Sequence, residues 1–419
     1  MTHSTAPEPF VVEHLCPVRR SLRIAVVTET YPPEINGVAL TLQQVVLGLH
    51  ARGHDVQLVR PRQDGEDAAQ RGDRLHEVLM RGVPIPRYPD MKMGVPALRA
   101  LAALWQRQRP DVVHIATEGP LGWSALKVAQ KLKLPVCSEF RTNFHAYSHH
   151  YGIGWLARPI MGYLRRFHNR THCTMVPSDA LRDELQAQGF ERLLTVSRGV
   201  DTQLFDPAHR SDDLRRRWGA APDTPVVLFV GRLAPEKNLT ALARAFSAMQ
   251  QSQPAAKLVL VGDGPAAAAL AAAVPGAVFA GTQRGAALAA HYASADCFVF
   301  PSMTETFGNV TLEAMASGLP VLAYHHASAS QMIASGVNGL TAPLGDEDAF
   351  VELARHLMDS PAHGRRMGEQ ARIRAHDAGW SHVVAQVEDV LHAAAAGAAG
   401  ARTATAAAGA DAVAAWRGA

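Results

Sequence analysis

The sequence predicts an α/β protein of two domains, each built on its own open parallel sheet. Three observations carry that expectation. Short apolar runs rich in Val, Leu and Ile recur along the 419 residues, apolar on both faces, as strands of a sheet covered on both sides must be. Helical stretches separate those runs, and such alternation implies right-handed βαβ units. The pattern pauses at "RGVDTQLFDPAHRSDDLRRRWGAAPDTP", rich in Asp, Pro and Arg, and restarts near residue 225.

In chain order, the first half reads as strands at Leu22–Thr28, Asp55–Arg60, Asp111–Ala116, Pro135–Phe140, Thr174–Pro177 and Leu194–Ser197. The second half reads as strands at Pro225–Val230, Lys257–Val261, Ala277–Ala280, Cys297–Pro301 and Pro320–Tyr324. Helices are expected at Leu40–Arg52, Leu239–Gln251 and Ala286–Ser294. The organisation is a flexible start at 1–21, a first domain over 22–200, a linker over 201–224 and a second domain over 225–377. A helix follows at 378–392, then an Ala/Gly-rich tail at 393–419 that offers little to pack. Two such sheets facing each other make a cleft, and ligands of open α/β sheets bind beyond the carboxyl ends of the strands.

Composition excludes several classes. A net charge of +3 is too small to point to nucleic acid. The four cysteines, Cys16, Cys137, Cys173 and Cys297, form no C-x-x-C pair, so a reducing cytoplasm is expected, with neither a disulfide framework nor a zinc site. The start lacks a secretory pattern, and no apolar run approaches the ~20 residues that span a bilayer.

The chemistry-bearing motifs stand at strand ends. The first strand runs into Asn36-Gly37-Val38 ahead of an apolar helix, where backbone can approach a ligand and N–H groups can meet an anion. "VVLFVGRLAPEKNL" places Gly231, Arg232 and Lys237 after another strand, so that a planar fork and a point charge can converge on one anion. "LVLVGDGP" ends in a tight turn at Asp263 and Gly264, and "TETFGNVTLEAMASGLP" sets Glu305 and Glu313 on either side of a helix start. Two carboxylates suit a glycosidase, but a glycosidase has no need of an Arg/Lys anion clamp, which favours transfer over hydrolysis. Asp346-Glu347-Asp348 matches D-x-D, yet it opens a helix, where acidic residues suit the dipole. His145, His149 and His150 are too few for zinc.

The order G-R-x-x-x-E-K-N, V-G-D-G-P and P-S-x-x-E-T-F-G-N-V-x-L-E-A-M-A-S-G-x-P resembles the retaining, nucleotide-sugar-dependent glycosyltransferases of family 4, over about Arg23 to His392. "FRTNFHAYSHHYG" carries a closer resemblance to the branch of α-mannosyltransferases that use GDP-mannose. The resemblance implies the GT-B fold: two Rossmann-like, doubly wound parallel-sheet domains facing across a cleft, the C-terminal helix returning to the first. It implies transfer of a hexosyl group, mannose from GDP-mannose, to a lipid, glycan or polyol, without metal or cofactor; a UDP-sugar donor or a silent partner subunit are the alternatives. Arg232 and Lys237 would hold the diphosphate, and Glu305 the sugar hydroxyls. Glu313 would hold the ribose. Phe307, Gly308, Asn309 and Val310 would line the sugar and phosphate, and the Gly281–Arg284 loop with Thr282 would lie near the base. Gly37, Gly231, Asp263 and Gly264 complete the donor side.

One departure stands out. The family usually has Phe/Tyr-His-Thr after the strand at 135–140, and here Phe140-Arg141-Thr142 stands there, with His145 four residues on. Either Arg141 replaces that histidine, or His145 swings in, or activity is altered. Separately, Tyr151–His172 mixes Trp155, Leu156, Ile160, Met161, Leu164 and Phe167 with arginines, which suits either a helix lying on an anionic membrane or a packed helix with a basic outer face.

Overall fold

The computed structural model describes residues 20–34, 36–70, 72–85, 88–141, 157–305 and 307–397. Its strands are β1 (Arg23–Val27), β2 (Asp55–Pro61), β3 (Leu75–Met80), β4 (Gly82–Ile85), β5 (Tyr88–Gly94), β6 (Val112–Ile115), β7 (Val136–Glu139), β8 (Cys173–Val176), β9 (Leu193–Thr195), β10 (Val226–Val230), β11 (Lys257–Val261), β12 (Val278–Gly281), β13 (Cys297–Phe300), β14 (Val321–Tyr324) and β15 (Leu340–Ala342). Seven of them form one sheet in the order β3-β2-β1-β6-β7-β8-β9, and six form another in the order β12-β11-β10-β13-β14-β15. Every pairing in both sheets is parallel. The remaining two, β4 and β5, make an antiparallel ribbon.

Side-chain alternation explains how the first sheet is covered. Ile24 and Val26 of β1 pack with Leu42, Val45 and Val46 of the helix Gly37–Ala51. Ala25 and Val27 point the other way, onto Leu101 and Trp105 and onto Leu121 and Ala125 of the helix Pro120–Lys131. Both faces are therefore dry, which is why Ile24–Val27 of β1 reads as an unbroken apolar run. Each buried Val or Leu contributes about 1.5–3 kcal/mol. The strands missing from the sequence expectation are one edge of each sheet, β3 and β15, and the ribbon. β3 lies at one edge, half-buried, and β15 is a three-residue edge of the other sheet; edge strands need no double apolar face.

Two boundaries differ from the sequence expectation. The stretch 201–224 is not a free linker: Phe205, Trp218 and Ala220 belong to the core of the second domain. The buried Arg215 there donates to the carbonyls of Ser294, Ala221 and Thr224 and to Asp296. The last helix runs over 380–397, beyond the expected end at 392, since alanine has the highest helix propensity and Ala394 and Ala395 pack on the first domain.

That helix crosses back to the first sheet. Val384, Val387 and Leu391 join the β1 core. Gly48 lies against it so closely that a Cβ there would stand 2.5 Å from Val384 Cγ2. Beside the crossing, Val200 N–H donates to Ala378 C=O at 3.0 Å. The chain thus passes between domains twice, side by side, near residues 198–200 and 378–380. Cys137 and Cys173, far apart in sequence, are directly paired in register on β7 and β8 and both buried as thiols. Among the described residues no helix is long and apolar enough to cross a membrane.

Candidate active site

The strand orders locate the site. In each sheet the order reverses beside the first strand, between β1 and β6 and between β10 and β13; crevices at such switch points are where open α/β sheets take ligands. In the second sheet, β10 delivers Gly231, Arg232 and Lys237, and β13 delivers Ser302, Glu305, Phe307 and Gly308. Close packing of the strand-end turns explains the glycines: a Cβ on Gly262 would stand 2.0 Å from Gly231 O, and one on Gly264 2.3 Å from Leu233 O.

The two cations are each held by a carboxylate. Arg232, half-exposed, donates to Glu236. Lys237 donates to Glu305, which also accepts from Ser302 Oγ at 2.8 Å. Lys237 Nζ lies 5.7 Å from the centre of the Phe300 ring. Arg232 and Lys237, expected to converge on one anion, are each paired here with a separate carboxylate.

Next to them the helix Asn309–Ala316 begins at Gly308, whose φ of +86° favours glycine, and no side chain among the described residues caps it. Its first-turn N–H groups are a ready anion site. Asn309 Oδ1 is buried there without a hydrogen-bond partner among the described residues. Phe307 does not offer its ring to the cleft: the ring is buried, and its carbonyl accepts from Ser328 N–H at 2.8 Å. Val310, in the first turn, packs against the second-domain core.

Glu313 lies one turn further and accepts from Tyr292 Oη at 2.9 Å. Loss of solvent pushes its carboxyl up to about 7, and burial with Glu313 beside it drives the Tyr292 phenol well above its ordinary range. Tyr292 escaped the sequence reading because it sits inside an apolar helix, Gly285–Ser294. Glu305 and Glu313 thus have different partners, Lys237 and Ser302 for the one and Tyr292 for the other. Asp263 and Thr282 grip each other, Asp263 Oδ2 accepting from the Thr282 N–H at 3.0 Å and hydroxyl at 2.6 Å; they brace the turns after β11 and β12.

On the first domain, Asn36 Oδ1 accepts from Val38 N–H at 3.0 Å and Ala39 N–H at 2.8 Å. The helix start at Gly37 is therefore already capped, contrary to the open anion site expected there. Arg141 is buried and ion-paired with Glu139, whose carboxylate also accepts from His114 Nε2 at 2.8 Å. Burial, with Arg198 nearby, pulls the Arg141 guanidinium well below its ordinary range; burial and Arg141 pull His114 down to about 3. His145, with His149, His150, Trp155 and Leu156, lies outside the described residues. Of the apolar side chains expected on the 151–172 segment, Leu164 and Phe167 face the core, with Ile160 and Met161 against it, while Arg158, Arg165 and Arg166 are exposed.

One grouping among the described residues has metal-ligand spacing: His54, Glu388 and His392, with ligand atoms within 4.8 Å. Leu22 N–H donates to His54 Nδ1 at 3.1 Å, so the ring proton sits on Nε2, facing Glu388 Oε1 at 2.9 Å. A protonated ring nitrogen cannot ligate. With Arg52 Nε also donating to Glu388 at 2.7 Å, the grouping is a clasp for the last helix.

Known proteins resemble this chain over most of its length. Residues 35–204 match the glycosyltransferase family 4 domain, and 224–360 match the glycosyl transferases group 1 domain. A "GDP-mannose-dependent alpha-mannosyltransferase" of Mycobacterium tuberculosis is 39% identical over 82% of this chain and 88% of its own. One of Mycolicibacterium smegmatis is 38% identical over 84% and 92%. Sucrose-phosphate synthase from Thermosynechococcus elongatus superposes with a TM-score of 0.69 at 20% identity, covering 88% of this chain and 98% of its own, and shares the fold. Two parallel-sheet domains, family models that together span most of the chain and relatives of this closeness show that the chain belongs to the family 4, group 1 glycosyltransferases of the GT-B fold.

Proposed function

We propose that the protein transfers a mannosyl group from GDP-mannose to a lipid, glycan or polyol acceptor, with retention at the anomeric carbon and without a metal ion. The observation that carries the reading is the conjunction of Arg232, Lys237 and the uncapped helix end at Gly308 at one switch point. Together they supply the charge that a departing diphosphate needs, the part a metal takes elsewhere. The relatives named for GDP-mannose, at 33–39% identity, support the donor.

In this reading the acceptor hydroxyl attacks the anomeric carbon on the face from which the diphosphate leaves. The new C–O bond forms as the bond to phosphate oxygen breaks, and the acceptor proton passes to that departing oxygen. Glu305 orients sugar hydroxyls and Glu313 the ribose, while the first-turn N–H groups of the helix that begins at Gly308, among them those of Asn309 and Val310, meet the diphosphate. Exposed Arg158, Arg165 and Arg166 support peripheral contact with an anionic bilayer on the cytoplasmic face; absence of co-sedimentation with anionic vesicles at low salt would remove that part. A donor-by-acceptor screen reading nucleotide release tests the whole. Release from GDP-mannose is expected; release from UDP-sugars only would overturn the donor, and none from any donor would leave a silent binding subunit.

A further inference from the structure

Arg198 stands where the chain first passes between the domains. Its side chain is buried, at 8% exposure, and its guanidinium lies 5.9 Å from the centre of the Phe307 ring in the second domain. On the other side, a Cβ on Gly37 of the first domain would be 3.8 Å from Arg198 Nη1. Arg198 Nε has no hydrogen-bond partner among the described residues, and no carboxylate described there forms an ion pair with this side chain.

The surrounding charges are already committed. Glu139 serves Arg141 and His114, and Glu305 serves Lys237. Two buried guanidiniums, Arg141 and Arg198, therefore line one pocket, and of the two only Arg141 is ion-paired among the described residues. A buried cation without a partner is costly, and an arriving oxyanion would offset that cost. The pocket that Arg141 and Arg198 line with Thr41, Glu139 and Ser197 holds only ≈ 20 Å³, room for a water and not for a phosphate. The anion must therefore come from the other side, where Phe307 leads into Gly308 and the bare helix end, and where Glu305 is near enough to draw on the Arg198 charge.

We infer that Arg198 is a third cation of the donor-phosphate site, reaching the nucleoside diphosphate from the inter-domain side beside the helix start at Gly308. The inference rests on the nucleotide-sugar reading above. It has a mechanical consequence. The next residue, Gly199, packs on Trp380, where a Cβ would stand 2.6 Å from Trp380 Cδ2, and Val200 bonds to Ala378. A diphosphate held by Arg198 is thus held by the double crossover itself, and its binding biases how the domains sit.

Calorimetry on the full chain tests this with GDP and GMP, and in parallel with UDP and UMP. Arg198→Gln is expected to weaken diphosphate binding about 10- to 100-fold, the range of a lost charge-assisted bond, and monophosphate binding less than about threefold. Arg198→Lys keeps the charge and loses the planar fork; it is expected to fold as wild type and to lose about 3- to 10-fold for the diphosphate. Unchanged diphosphate affinity in both variants overturns the inference. So does an equal loss for mono- and diphosphate, or a defect confined to the acceptor KM. Wild-type protein that binds neither diphosphate defeats the nucleotide reading itself, a result distinguishable from any of these.

Discussion

Lys237 and Glu305 form an ion pair across the carboxyl ends of β10 and β13, each side chain only 18% exposed. In the proposed donor site a diphosphate would take over Lys237 as its cation and release Glu305 toward the sugar. Glu305→Gln removes the competing charge. Diphosphate binding is expected to tighten about threefold or more, while kcat with a sugar nucleotide falls at least ~10-fold, about 1.4 kcal/mol. Calorimetry with GDP beside steady-state kinetics checks both; parallel losses would show that Glu305 does not compete for Lys237.

Arg141 carries a structural and a chemical consequence that separate variants resolve. Arg141→Ala strands a buried carboxylate at Glu139, and breaking such a pair costs about 3–5 kcal/mol, so thermal unfolding should fall by several degrees. kcat/KM should fall at least ~10-fold. Adding Glu139→Gln removes the stranded charge and should recover most of the stability without recovering activity. A stable double variant with wild-type kinetics would exclude Arg141 from the reaction.

Glu313 gives a pH dependence with a definite sign. Its folded value of about 7 lies above the ordinary 4.5, so the folded state binds the extra proton between those values and stability declines as pH rises through that window. Glu313→Gln should therefore match wild type near pH 4 and exceed it by about 1–3 kcal/mol at pH 8. Because an ionised carboxylate is the better acceptor for ribose hydroxyls, wild-type donor KM should fall between pH 6 and 8. The variant should lose that pH response. A flat wild-type profile would argue against ribose binding by Glu313.

The last helix is held by close backbone packing as well as by the Glu388 clasp. Gly48→Val puts carbon into space that Val384 already fills, an overpacking expected to cost about 1–3 kcal/mol. Thermal unfolding measures it. An unchanged Tm would mean that the helix is not seated on the first domain in solution.

The central strands and the site motifs were legible because each obeys a local rule. Strands covered on both faces are apolar throughout, and Gly231, Arg232, Lys237, Glu305 and Glu313 stand at strand ends or at a helix start. β3 and β15 were not, since an edge strand needs no such pattern. Phe205, Trp218 and Arg215 were hidden in a stretch whose polar composition looks like a linker, although a few large side chains suffice to anchor it.

The sequence by itself determined the two sheets, the family and the residue types of the anion clamp, all of them properties of short segments. Only the tertiary structure decided which charges meet. It paired Lys237 with Glu305 and Arg232 with Glu236, gave Glu313 to Tyr292, and left Arg198 between the domains, lining one pocket with Arg141. Apart from Arg232 and Glu236, four residues apart, these partners come from separate segments and, for Arg198, from either side of a domain boundary. Coulomb and desolvation energies depend on distance and burial in the folded chain, and spacing along the sequence carries neither.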